Sequence, residues 1–84
     1  MKITYDPRYN IAYLRLHEGV GGEEKAAGVE TIKMSDEINI DMAPDGTIYG
    51  IELLNANEQL NKADKGKLLV VNEATGKESE IAIF

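Results

Sequence analysis

Residues 38–54, INIDMAPDGTIYGIELL, leave little choice of secondary structure. Ile38, Ile40 and Met42 fall on one side of an extended chain, and Tyr49, Ile51 and Leu53 do the same after a short break. That two-residue period belongs to strands with a covered face; wound into a helix, the same residues would scatter around the axis. In the break, APDGT, Pro44 presets φ for a turn and Gly46 can take positive φ. The segment is predicted to be a β-hairpin.

The same residues imitate a calcium loop. An EF-hand places acidic ligands at loop positions 1, 3 and 5, Gly at 6 and Glu at 12. Asp41, Asp45, Gly46 and Glu52 occupy positions 1, 5, 6 and 12, but Ala43 and Pro44 occupy 3 and 4. The flanks are strands where an EF-hand has helices, and an extended strand carries Glu52 away from the turn. The acids are therefore read as turn and strand residues, and no metal or cofactor is expected.

The alternation recurs along the chain. Ile3 and Tyr5 alternate with Lys2 and Thr4, Asp6-Pro7 supplies a turn, and IAYLRL returns with Ala12, Leu14 and Leu16 opposite Ile11, Tyr13 and Arg15. His17 to Ala27, rich in Gly and Glu, reads as a surface loop, and Val29 to Met34 as a further strand. After Leu54 the pattern changes: ANEQLNKAD has the propensity of a short helix, with Asn55 or Asn57 as N-cap, Leu60 facing inward and Gly66 ending it. KLLVVN, the turn EATGK and ESEIAIF form a last hairpin, with Gly76 placed for a left-handed turn position. The apolar ending Ile81, Ile83, Phe84 suggests a last strand tied into the fold. The predicted fold is mainly β (α+β at the margin): an antiparallel sheet of consecutive hairpins with one short helix, in a single domain over residues 1–84.

Composition limits how well such a domain can cover itself. Eighty-four residues with five aromatics and no cysteine form one small core, without disulfides or thiolate metal sites to reinforce it. Apolar side chains on both sides of IAYLRL and YGIELL leave surface for another molecule to cover, so a homodimer is expected, with a protein partner as the other possibility. Net charge −6, with nine Lys and Arg scattered along the chain, argues against nucleic acid, which needs a basic footprint. MKITYDPRYN turns polar too early for a secretory leader, and no apolar run is long enough to span a bilayer. A cytoplasmic protein without membrane contact is expected.

Few residues offer chemistry. His17 is the sole histidine, and no second member of a catalytic triad stands out near it. Gly19 to Gly22 lacks the Lys of a phosphate loop. Fifteen acids make close carboxylate pairs inevitable, but a chain this short rarely builds the cleft a hydrolase needs. Arg15 stands mid-strand among apolar residues, and a cross-sheet pair with Glu52 would account for it. Arg15, Asp41 and Glu52 are the candidate residues if the protein binds a small ligand or metal.

Two segments resemble a known family. MKITYDPRYNIAYLRL and INIDMAPDGTIYGIELLNA are similar to a family of small prokaryotic proteins catalogued as a domain of unknown function, family 2283. Tyr5-Asp6-Pro7, Tyr13-Leu14-Arg15-Leu16, Asp41, Asp45-Gly46 and Gly50-Ile51-Glu52 match in order. The resemblance covers about residues 1–58 and implies a compact β-rich domain without established catalytic residues. The function expected is a non-enzymatic interaction module that self-associates or binds a protein partner.

Overall fold

The computed structural model of the chain describes residues 1–17, 28–60 and 66–83. Among these residues seven strands and one helix follow in order: β1 Lys2–Asp6, β2 Ile11–Arg15, β3 Glu30–Lys33, β4 Ile38–Met42, β5 Ile48–Leu54, α1 Ala56–Gln59, β6 Lys67–Val71 and β7 Glu78–Ala82. The first five form one antiparallel sheet in the order β1-β2-β5-β4-β3, and β6 pairs with β7 in a separate two-stranded sheet. The predicted antiparallel β fold of hairpins with one short helix is the fold observed. The loop expected over 18–27, the helix residues expected over 61–65 and Phe84 lie outside the described residues.

The turns form for the reasons their residues suggest. Asp6 Oδ1 accepts the Arg8 backbone N–H at 2.9 Å, closing the first turn, and Asn10 ends it at φ 55°. In the 43–47 turn, Gly46 sits at φ 88° and donates to the Ala43 carbonyl at 3.0 Å, while Asp45 accepts from both the backbone N–H and the hydroxyl of Thr47. In the last hairpin Asn72 Oδ1 accepts the N–H groups of Ala74 and Thr75, and Gly76 takes φ 72°.

Register sorts the main sheet into two faces. Ile3, Leu14, Ile51 and Ile40 lie in line across β1, β2, β5 and β4, flanked by Ala12, Leu53 and Ile38, and they make an apolar face. The other face carries Thr4, Tyr13 and Glu52 in one row with Asn39, and Arg15, Gly50, Asp41 and Thr31 in the next. One expectation fails here. The pairing of β4 with β5 shifts between Asp41 and Met42, so that Met42 faces Ile48 and Tyr49 becomes the extra residue of a bulge. The bulge turns Tyr49 away from Ile51 and Leu53 and onto the polar face, under the Arg15 guanidinium at 5.7 Å.

The interior is small. Among the described residues Ala12, Ala56 and Tyr49 are the buried apolar ones, and no large side chain is fully buried. The described helix is one turn, Ala56–Gln59 with Leu60 as its C-cap, and it leans on the first turn. Asn55 occupies the N-cap position in the left-handed conformation and makes no side-chain cap bond. Asn10 supplies the cap: its carbonyl accepts Ala56 N–H at 2.9 Å and its Oδ1 accepts Asn57 N–H at 2.9 Å. The final hairpin is less tied in than its apolar ending suggested, with every residue of β6 and β7 exposed.

Candidate functional site

The polar face is organised around Asp41, buried to 4% exposure on β4. Its Oδ2 accepts the Tyr13 phenol at 2.7 Å, and its Oδ1 accepts the Thr31 hydroxyl. A carboxylate taken out of water needs such donors, because an unpaired buried charge is costly. Tyr13 arrives from β2, two strands away, by crossing β5. It can do so only because residue 50 is Gly: a Cβ there would stand 2.3 Å from the Tyr13 hydroxyl and 2.5 Å from the ring carbon bearing it. A strand-interior glycine is a signal for close approach of this kind. Gly50 was legible from the sequence as a matching residue, and Thr31 and Tyr13 as strand residues, but not as one cluster.

Burial pushes the Tyr13 phenol well above its ordinary value, and its hydrogen bond to the Asp41 carboxylate and that group's negative charge push it the same way. Tyr13 is therefore held as a proton donor and is no base at neutral pH. Asp6 and Asp45 are held below the usual carboxylate range, Asp6 first by its hydrogen bond from the Arg8 side chain and Asp45 first by that from the Thr47 hydroxyl. Both belong to turns.

The three candidate residues do not converge. Asp41 is engaged by Tyr13 and Thr31. Glu52 stands opposite Tyr13 and Asn39 and accepts the Asn39 amide at 3.0 Å. Arg15 faces Gly50, donates to the His17 carbonyl at 3.1 Å and lies over the Tyr49 ring. The expected Arg15–Glu52 pair is replaced by these contacts, because the Tyr13 ring, crossing Gly50 to Asp41, fills the diagonal between them. His17 likewise serves the fold, stacking on Tyr49 at 6.0 Å between centroids and bonding Thr47 at 2.9 Å. Among the described residues no three His, Cys, Asp or Glu side chains lie close enough to hold a metal ion, and no helix is long and apolar enough to cross a membrane.

Beside this cluster, over β1 and β2, runs an open groove of about 730 Å³. Lys2, Thr4, Arg8, Tyr13, Arg15 and Tyr49 contribute to its lining; Asp41 and Glu52 do not. Arg8 is paired with Asp6 at 2.9 Å and lies over Tyr9. Lys2 stands directly opposite Arg15 across the strand pair, an arrangement that places two positive charges side by side.

Fold and cluster together define a small antiparallel β domain whose polar face is locked by a tyrosine, an aspartate and a threonine. The family description "Protein of unknown function (DUF2283)" matches residues 2–57, and the chain belongs to that family. No curated protein and no solved structure matches it.

Proposed function

We propose that the protein is a non-enzymatic interaction module that self-associates through apolar surface its own fold leaves open. The observation that carries this reading is the absence, among the described residues, of any fully buried large side chain, although Ile3, Leu14, Ile38, Ile40, Ile51 and Leu53 are gathered on one sheet face. A sheet normally buries such a face against a second layer. The one helical turn among the described residues is too small to supply it, whereas a symmetric partner brings the same surface and covers both copies at once. The chemistry of the polar face points the same way, since its best-placed groups are consumed in mutual hydrogen bonds. Sedimentation equilibrium tests the reading: a two-chain mass at tens of micromolar is expected, and a one-chain mass unchanged up to about a hundred micromolar would overturn it.

A small-ligand reading has one observation in its favour. The groove holds both arginines of a chain of net charge −6, Arg8 paired with Asp6 of the same lining and Arg15 with Lys2 opposite it. Its class of ligand would be a small aromatic anion, able to stack on Tyr13 or Tyr49 while meeting the cations. Titration with benzoate, followed by NMR, separates saturable shifts at Thr4, Tyr13 and Arg15 from a non-specific drift that would dismiss the site.

A further inference from the structure

Among the described residues four strands stand at a sheet edge, β1 and β3 in one sheet and β6 and β7 in the other, and they are not equally defended. β1 carries Lys2 and Asp6, β3 carries Glu30 and Lys33, and β7 carries Glu78 and Glu80. Charges on an edge strand discourage another chain from pairing with it. β6 has Lys67 at its start and then Leu68, Leu69, Val70 and Val71, all 45–54% exposed. Among the described residues no other edge strand presents an uncharged aliphatic run of this length.

The backbone of β6 is poised as well. Gly66 accepts from Ile83, and Asn72 donates to Lys77, so both residues bond toward β7. In an antiparallel ladder this direction alternates at every residue. Leu68 and Val70 therefore bond inward, while Lys67, Leu69 and Val71 turn their N–H and C=O groups to the open edge.

We propose that β6 pairs antiparallel with β6 of a second copy of this chain, about a two-fold axis at Leu69. The inference rests on the self-association reading and adds to the sheet face a second contact, on the edge of the separate hairpin. In this register Leu69 faces Leu69 of the other copy, Leu68 faces Val70, and Lys67 faces Val71. No like charges are opposed, and the outward groups of Lys67, Leu69 and Val71 form about six backbone hydrogen bonds. The same operation on β7, centred on Glu80, would oppose two carboxylates. The partner is thus chosen by charge as well as by shape.

The pairing also resolves the hairpin's exposure. A lone two-stranded hairpin is marginal in water, whereas four strands with one apolar face are not. Leu68, Val70 and Ile81 share one face of the hairpin, with Ser79 as its polar member, and Glu78 and Glu80 lie on the other. Joining β6 to β6 brings the two apolar faces into one and keeps the four glutamates together on the opposite side.

Leu69→Lys tests the contact without sacrificing the hairpin, since Leu69 lies opposite Glu80 within one copy and a lysine there gains an acidic neighbour. Two lysines then oppose each other at the two-fold axis, and the dimer dissociation constant should rise by roughly tenfold or more. Glu78→Lys on the defended edge should leave it unchanged, and mixing Leu69→Lys with Leu69→Glu should restore the two-chain mass. In the wild type, amide exchange at Leu69 and Val71 should slow with protein concentration. A wild-type dimer that Leu69→Lys leaves intact, with Leu69 and Val71 amides unprotected, would overturn the β6 contact and leave self-association standing on another surface. A wild-type monomer would overturn both.

Discussion

Adding one methyl group at position 50 should destabilise the fold far beyond the usual cost of a surface change. In Gly50→Ala the new Cβ would lie 2.3 Å from the Tyr13 hydroxyl and 2.7 Å from a ring edge carbon, inside any tolerable contact. Gly50 does not have positive φ, so the backbone accepts Ala and the unfolded chain loses entropy, a gain of about 0.4–1 kcal/mol. Against this, the ring must lift. Lifting it removes a phenol donor from a carboxylate that is 4% exposed, which costs about 1.5–3 kcal/mol for a hydrogen bond to a charged group. Displaced ring packing adds about 1–3 kcal/mol, so the net loss is about 1.5–5.5 kcal/mol. Urea unfolding followed by circular dichroism reads it as a drop in midpoint at constant slope. The control is the same substitution in Tyr13→Ala, where no ring stands in the way and Gly50→Ala should become neutral or stabilising. An equal loss in both backgrounds would refute the account, because the clash would then lie elsewhere.

Tyr13 also predicts an alkaline limit. Its folded pKa is raised, so as pH climbs past about 10 the unfolded chain sheds a proton that the folded one keeps. Stability from this group is complete below that pH and declines above it, with a limiting slope of about 1.4 kcal/mol per pH unit, over a pH span that solvent at a half-covered site shortens. Tyr13→Phe should flatten the decline by one proton's worth; identical alkaline profiles would remove the assignment. Asn10→Ala strips the carboxamide that accepts from Tyr5 and Asn57 and donates to Asn55 and Asn57, and it leaves Ala at φ 55°; a loss of about 2 kcal/mol or more is expected in thermal unfolding. Double-mutant cycles should give a coupling of about 0.5–1 kcal/mol for Asn39 with Glu52 and under about 0.3 kcal/mol for Arg15 with Glu52, and the reverse order would restore the cross-sheet ion pair.

The strands, their turns and the antiparallel pairing were legible because each rests on short-range chemistry: period-two alternation, Asp6 before Pro7, Gly46 and Gly76 at left-handed positions. What escaped was the chemistry of tertiary contact. A bulge at Tyr49 moves one side chain to the opposite face, and no alternation rule announces it. The helix cap comes from Asn10, forty-seven positions before Asn57, where local reading looked to Asn55 or Asn57. Arg15 and Glu52 were placed on one face correctly, yet their pairing depended on a ring crossing between them. Each miss is a long-range contact overriding a sound local preference.

The residues that tie this chain to its family prove to be folding devices. Asp6 closes one turn, Asp45 and Gly46 close another, and Tyr13, Asp41 and Gly50 form a single unit in which the glycine exists for the ring and the ring for the carboxylate. A group so engaged is poorly placed to act on a ligand, since using it would first cost the hydrogen bond that satisfies it. The matched segment, residues 2–57, thus explains why the sheet folds as it does. The least defended edge, β6, lies beyond that segment, on a hairpin whose own interior is too thin to stand alone. The proposed β6 pairing would therefore place a contact outside the matched segment, in addition to the apolar face of the five-stranded sheet on which the self-association reading rests.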